Sequence, residues 1–248
     1  MKASAFTLQR VRHLNADTVE LTLSGDTSDI RAPGQFVNIA LPGFFLRRPV
    51  SVCDWSDGTL TLLLRLAGAG TRQLVATPPG TALDVLSGLG NGFTPPGVPP
   101  ERVILAGGGI GIAPLYGLAK ALSRQGIRPV AALGFRDRAG LFYVDEFRAV
   151  CDTVLIATQD GSSGVRGQIT DLLQQNVSRT YVYCCGPLPM LRAVYALPHL
   201  RGGQYSFEAR MGCGFGACMG CSMPFRDGWR RICKDGPVFT REEIIWEN

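Results

Sequence analysis

The chain changes its hydrophobic rhythm twice. Over roughly the first hundred residues, apolar and polar positions alternate in short runs: TVELTLSG, GQFVNIAL, RPVSVCDW, TLTLLLRL and TALDVLSGLG. Each is bounded by Gly, Pro or Asp, the signature of short strands. TRQLVATP is the one stretch there that reads as a short helix. Many strands without helical crossovers predict a small antiparallel barrel over residues 1–98. Pro95, Pro96, Pro99 and Pro100 then interrupt the pattern and mark a boundary.

Beyond it, buried-strand runs alternate with amphipathic ones. RVILAGGG, RPVAALGF, DTVLIATQDG and TYVYCCGP read as strands. APLYGLAKALSRQG, the later part of LFYVDEFRAV, GQITDLLQQN and LPMLRAVYAL read as helices. That alternation predicts an open parallel α/β sheet over residues 99–198. From His199 the rhythm changes again, to one strand-like run, QYSFEAR, followed by glycine-rich cysteine loops through residue 248.

Composition narrows the function. The chain has 248 residues, 46% of them hydrophobic, enough for two modest domains or one large one. A net charge of +5 with no Lys/Arg tract makes nucleic acid a poor partner. No run has the length of a membrane span and the N-terminus lacks a signal peptide's apolar stretch, so a cytoplasmic protein is expected. Disulfides are rare in that compartment. Cys53 and Cys151 read as small buried hydrophobes, and His13 and His199 as surface or packing residues.

The tail MGCGFGACMGCS places Cys213, Cys218 and Cys221 together, with Cys233 following, in the order C-x4-C-x2-C-x11-C. Zinc sites more often use two separated close pairs, whereas this spacing is that of a plant-type [2Fe–2S] centre. Gly212, Gly214, Gly216 and Gly220 permit a loop to turn its N–H groups toward sulfur. Arg210, Arg230, Arg231 and Lys234 offer counter-charge. Structural zinc and unligated thiols are the other two readings. A cluster moves single electrons and calls for a two-electron cofactor nearby.

Two glycine-rich turns are candidates for phosphate. LAGGGIGIAP carries Gly107, Gly108, Gly109 and Gly111 at a strand end, where the next helix would present its N-terminus to a pyrophosphate. A tight turn explains it equally well taken alone. GFRDR and Cys185-Gly186-Pro187 fall at two further strand ends, the binding edge of an open sheet. In the barrel, Arg48 and Ser51 flank Pro49 and Val50. Arginine grips a diphosphate and a hydroxyl bonds a ring edge, although a salt bridge in an ordinary strand is the plainer alternative. LLLRLAGAGT leads into the short helix through Gly68, Gly70 and Thr71. No Gly-Lys-Ser/Thr follows any glycine loop, which argues against a P-loop ATPase.

Taken together, these motifs resemble the electron-transfer subunits of the NAD-dependent, class 1B dihydroorotate dehydrogenases, a branch of the ferredoxin-reductase-like flavoproteins, over essentially the whole chain. EARMGCGFGACMGC followed by RRICKDGPVF is the most specific part. The resemblance implies FAD held by Arg48, Pro49, Val50 and Ser51, with Leu63, Leu64, Arg65, Gly70 and Thr71 completing the site. It implies the nicotinamide nucleotide at Gly107 to Gly111 and at Cys185, Gly186 and Pro187, and the [2Fe–2S] cluster on Cys213, Cys218, Cys221 and Cys233. Gln159 stands where the family usually has an acidic residue, and Ser163 near a usual aromatic.

The implied partner is an FMN-containing catalytic subunit that oxidises dihydroorotate to orotate, in a heterotetramer of two catalytic and two electron-transfer subunits. Electrons would leave it through the cluster, collect on FAD and pass to NAD as hydride. No acid–base triad is expected on this chain. Cys185 would sit neutral near the nicotinamide or simply pack, and Phe215 and Met219 would anchor the partner or cover the cluster. The flavin subunits of bifurcating transhydrogenases, sulfide dehydrogenases and hydrogenases share the same layout, and a metal-stabilised binding protein is a third reading.

Overall fold

The computed structural model describes residues 1–95, 102–174, 180–200 and 202–246. The expected boundary at residues 98/99 and the end of GQITDLLQQN lie outside the described residues. Strands β1 (Lys2–His13), β2 (Thr18–Ser24), β3 (Phe36–Ile39), β4 (Arg48–Ser56), β5 (Thr59–Arg65) and β6 (Ala82–Leu89) close into an antiparallel barrel in the order β1-β2-β5-β4-β3-β6. Helix α1 (Ala69–Ala76) leads from β5 toward β6. Period-two alternation sends Phe6, Leu21, Val37 and Leu62 into the barrel interior. Asp57 and Gly58 make the two-residue turn that sets Ser56 opposite Thr59, with Gly58 at φ +73°. β1 is a strand absent from the sequence-based expectation. Its polar outer positions hide the two apolar ones, Phe6 and Leu8, that reach the core.

The second unit runs β7 (Arg102–Gly108), α2 (Ile112–Arg124), β8 (Val130–Phe135), α3 (Val144–Val150), β9 (Thr153–Thr158), β10 (Val165–Arg166), α4 (Ile169–Leu173), β11 (Thr180–Cys185) and α5 (Leu188–Tyr195). The tail adds β12 (Gly202–Ser206), a hairpin of β13 (Ser222–Phe225) and β14 (Gly228–Arg231), and β15 (Val238–Thr240). Among the described residues the sheet order is β10-β9-β8-β7-β11-β12-β15. All neighbours are parallel except β15, which returns antiparallel to β12. The sheet is therefore parallel as expected, with one antiparallel edge supplied by the cysteine-bearing tail.

Alternation divides this sheet between two cores. Leu105, Leu133 and Tyr183 face α2 and α3, packing with Leu115 and Phe147. Ile104, Ala132 and Val182 face the other way, toward Leu191, Ile232 and Phe239. A strand buried on both faces reads as a continuous apolar run, which is why RVILA and VAAL are legible from sequence.

A buried carboxylate ties the barrel to the α/β unit. Glu20 on β2 is 4% exposed and accepts hydrogen bonds from Arg10 (3.0 Å), Arg12 (2.6 Å) and the Tyr143 hydroxyl (2.7 Å). Tyr143 caps α3 in the left-handed region at φ 61°, an uncommon place for a bulky residue. Burial alone would raise the Glu20 carboxyl, but the bonds from Arg12 and Tyr143 outweigh it and hold the carboxyl below its ordinary value.

Two outcomes are expected at this junction. Removing one charge-assisted bond with Tyr143→Phe should cost about 1.5–3 kcal/mol in urea unfolding. The Glu20 contribution is complete above the unfolded carboxyl pKa of about 4.3 and is lost as pH falls through the lower folded value. Subtracting the Glu20→Gln stability profile from wild type should expose a term that shrinks on acidification below that pH. A difference that is flat, or that grows on acidification, would contradict the assignment.

Candidate functional site

Between barrel and sheet lies a cleft of ≈ 260 Å³. Residues 48–51 of β4, residues 63–65 of β5 and Thr71 of α1 line it on the barrel side. All of these are residues that the sequence motifs single out. Leu63 and Leu64 have their side chains in the two flanking cores. Arg65 is ion-paired to Asp17 at 2.9 Å.

Arg48 departs from the plainer alternative. Among the described residues no carboxylate pairs with it. Its guanidinium donates to the Leu46 and Arg47 carbonyls and lies over the Phe44 ring at 4.4 Å. A Cβ on Gly70 would fall inside that guanidinium, so glycine there makes room for the arginine at the start of α1. The first turn of α1 holds no acidic residue, and Thr71 is bonded back to Gly68. An arginine without a carboxylate partner beside a helix N-terminus is a donor set suited to a diphosphate.

The two sheet motifs come together on the other wall. A Cβ on Gly111 would stand 2.5 Å from the Cys185 carbonyl oxygen and 2.6 Å from the Gly186 Cα. One on Gly108 would stand 3.3 Å from Pro187. Gly107 is pressed against Ile112, and Gly109 sits at φ +54° in the turn that opens α2. Ile110 and Ala113 from this turn reach the cleft, so the glycine turn and the Arg48 strand border one space. Cys185 is 2% exposed and packs in the core facing α2, where burial lifts its thiol well up. His199 bonds the Leu173 carbonyl at 2.8 Å, and Cys53 and Cys151 are buried, as expected of packing residues.

The third wall is not legible in the sequence. Residues 206–209, Met211 and Pro237 line the cleft, and all come from the tail. The one signal is the strand-like QYSFEAR running directly into the cysteine loop. A larger open cleft of ≈ 920 Å³ lies between α2 and the β4–β5 hairpin, beside the Lys120–Asp54 ion pair. None of the sequence-predicted residues line it.

The four tail cysteines stand as two pairs. Cys213 N donates to the Cys218 sulfur at 3.5 Å, and the amides of Ala217 and Cys218 donate to the Cys213 sulfur at 3.2 and 3.4 Å. Cys233 N donates to the Cys221 sulfur at 3.4 Å. Burial pulls the Cys213 thiol upward, but amide donors from Cys218, Phe215 and Ala217 prevail and bring it down to about 6. Cys233 is pushed up to about 12 by burial and the neighbouring Cys221 thiol. Among the described residues, no three His, Cys, Asp or Glu side chains converge on one point in the manner of a single-ion site. Two thiol pairs with backbone amides directed at sulfur are a donor set that fits an iron–sulfur centre.

Of the expected counter-charges, Arg231 does act on the Cys221 and Cys233 thiols, but it and Arg230 are shared with carboxylates. Arg230 pairs with Asp227, and Arg231 with Asp235 at 3.0 Å, so both already have carboxylate partners. Arg231 also donates to the Gly216 carbonyl at 3.1 Å, bracing the loop mechanically. Phe215 and Met219 are 44% and 53% exposed beside the cysteines.

Comparisons with known proteins agree with this layout. Residues 208–245 match the iron-sulfur cluster binding domain of dihydroorotate dehydrogenase B. A dihydroorotate dehydrogenase B (NAD(+)) electron transfer subunit from Geobacillus kaustophilus is 43% identical over 239 residues, covering 92% of this chain and 93% of its own. The solved NADH-dependent reduced ferredoxin-NADP oxidoreductase superposes with a TM-score of 0.86 at 29% identity, covering 98% of this chain and 90% of that one. A ferredoxin NADP+ reductase from Neisseria gonorrhoeae, solved with FAD and NADP, shares the fold at TM-score 0.69 and 18% identity, over 79% and 89% of the two chains. With a barrel, a nucleotide-type sheet and a cysteine tail meeting at one cleft, and with that identity over nearly its whole length, the chain belongs to the family of dihydroorotate dehydrogenase B (NAD(+)) electron transfer subunits.

Proposed function

We propose that this chain is the electron-transfer subunit of an NAD-dependent dihydroorotate dehydrogenase of pyrimidine biosynthesis, taking electrons from an FMN-bearing catalytic subunit and delivering them to NAD⁺. The observation that carries the reading is the shared wall: residues 206–209 and Met211 line the cleft and run without a break into Cys213. When bound, FAD supplies two-electron hydride chemistry and a [2Fe–2S] cluster supplies single-electron relay.

The chain's own residues bind and orient. Arg48 and the α1 N-terminus grip the diphosphate, with Gly70 giving the guanidinium its place. Pro49, Val50 and Ser51, with Leu63, Leu64 and Arg65 opposite, present the two strands that hold the flavin ring, and Thr71 adds a hydroxyl at the cleft. Gly107, Gly108, Gly109 and Gly111 with Cys185, Gly186 and Pro187 receive the nicotinamide nucleotide. Cys213, Cys218, Cys221 and Cys233 ligate iron as thiolates. Phe207 and Met211 exclude water between the two sites. Residues 1–98 form the FAD portion, 99–198 the NAD portion and 199–248 the cluster portion. NAD is the preferred nucleotide, in line with the relatives named for NAD(+); Arg136 and Arg138 follow β8, and Arg136 makes an exposed ion pair with Asp137 at 3.0 Å. The complex is a heterotetramer of two catalytic and two electron-transfer subunits in the cytoplasm. No described helix is long and apolar enough to cross a membrane.

A second reading has one observation in its favour. The TM-score of 0.86 to a bifurcating NADH-dependent oxidoreductase extends over 98% of this chain. The same cofactor set would then dock to a different catalytic subunit.

Three measurements bear on this proposal. Anaerobically prepared chain should contain about two iron atoms and two acid-labile sulfides, and Cys218→Ser should lose most of both while its flavin spectrum persists. Stoichiometric zinc without sulfide would refute the cluster. Arg48→Ala leaves a phosphate charge unpaired and should weaken flavin retention by roughly 2–5 kcal/mol. Gly70→Ala, which displaces the guanidinium, should act in the same direction. Equal retention in all three proteins would return Arg48 to a structural role. Finally, native purification should recover an FMN subunit and anaerobic dihydroorotate-dependent NADH formation. Recovery with another dehydrogenase, and no orotate, would favour the second reading.

A further inference from the structure

The geometry points to Asn38 as a positioning residue for electron transfer between the cysteine loop and the flavin cleft, with Asn91 as a second clamp on the same tail. The inference rests on the cofactor assignment above and concerns residues outside both sets of cofactor contacts.

Asn38 lies on β3, opposite Pro49 of the Arg48–Ser51 strand. Alternation along β3 sends Val37 and Ile39 into the barrel interior, and Phe36 and Asn38 outward. Outward here means toward the tail. Phe36 lines the cleft and joins the core that contains Cys221, Cys233 and Phe239. Asn38, 1% exposed, donates from Nδ2 to the Cys213 carbonyl at 3.1 Å, across 175 residues of chain. Its own backbone carbonyl accepts from Arg47 at 3.3 Å, immediately before Arg48. One residue thus joins the edge of the diphosphate grip to the first cysteine.

The loop is shaped to receive this amide. A Cβ on Gly214 would fall against Asn38 Nδ2, and Gly214 holds φ +80°. Any other residue there would push the loop off the barrel. The energetics argue the same way. Asn38 Oδ1 is buried and accepts from no protein group among the described residues. An apolar residue of the same size would pack there without an amide to satisfy. What the apolar residue would lose is the bond that fixes the Cys213 carbonyl.

Asn91 performs a matching task past the end of β6. Its amide donates to the Val238 carbonyl at 2.7 Å and accepts from Val238 N at 3.1 Å, while its backbone N donates to the Gly236 carbonyl at 2.8 Å. This grips the tail just after Cys233. One clamp therefore holds the start of the cysteine segment and the other its end, both from the barrel that carries Arg48 and Ser51. Electron transfer weakens steeply with separation, so two fixed ends set its rate.

The test uses full-length chain purified anaerobically with its cofactors, comparing wild type with Asn38→Leu, Asn38→Ser and Asn91→Ala. Leucine fills the volume without a donor, whereas serine leaves room for a water to bridge to the Cys213 carbonyl. Rapid mixing with NADH should bleach flavin at the wild-type rate in every variant. Subsequent reduction of the cluster should slow several-fold in Asn38→Leu and Asn91→Ala, as the cysteine loop moves away from the cleft. Asn38→Ser should lie nearer wild type. The electron paramagnetic resonance lines of the reduced cluster should broaden in Asn38→Leu as the loop samples more than one position. Wild-type rates and lines in all variants would overturn the proposal. Equal slowing in Asn38→Leu and Asn38→Ser would overturn it too, by assigning the effect to volume rather than to the bond. Should Asn38→Leu not fold, an unchanged cluster rate in both Asn91→Ala and Asn38→Ser would overturn it equally. A wild-type chain free of iron and sulfide would remove the cofactor reading and this proposal together, and metal analysis distinguishes that failure from the others.

Discussion

The return of the tail onto the sheet is the constraint on which the rest of the molecule depends. β15 pairs antiparallel with β12, and between them the chain makes its excursion through all four cysteines. Without that pairing, Phe239 would leave the core it shares with Phe36, Cys221 and Ile232, and Pro237 would leave the cleft. The tail is a wedge between barrel and sheet, and its apolar faces belong to cores built largely by the other two portions. A cysteine loop carried on a flexible linker would need only its ligands. This one needs Tyr205, Phe207 and Phe225 as well, all buried in the core that the tail shares with the sheet.

The wedge also accounts for where chemistry is placed. The open edge of a parallel sheet lies beyond the carboxyl ends of its strands, and β7 and β11 end there in Gly108 and Cys185. The barrel brings β4 and β5 to the same edge. Two generic binding surfaces therefore face each other, and the tail closes the third side. Function on this scaffold follows from which segment supplies that side, since barrel and sheet alone would fit many reductases.

Legibility from sequence follows the range of the interactions. The β4–β5 hairpin, the glycine turn before α2 and the strand VILA are set by neighbours within a few positions, and each is readable. Gly70 illustrates an intermediate case. Its place after a strand suggests phosphate, but its physical role is to leave space for Arg48, a residue twenty-two positions earlier. β1 is obscured because Phe6 and Leu8 are its only fully covered apolar residues. The tail's contribution to the cleft is hidden for a different reason. No local pattern in SFEAR says which cavity it will line, because that is settled by pairing between β12 and strands far away in sequence. The β13–β14 hairpin, turned at Arg226 and Asp227 just before Gly228, does carry a local Asp-Gly signal, but its strands are too short to show alternation.

The shared wall has a thermodynamic consequence. Residues that line the cleft and residues that carry the thiols are continuous, so whatever orders one must help order the other. Two ligands coupled through one segment change each other's affinity by the same factor, in both directions. Loading of iron should then tighten the hold on flavin, and flavin should protect the metal. The coupling is graded, so loss of the cluster loosens the flavin without expelling it.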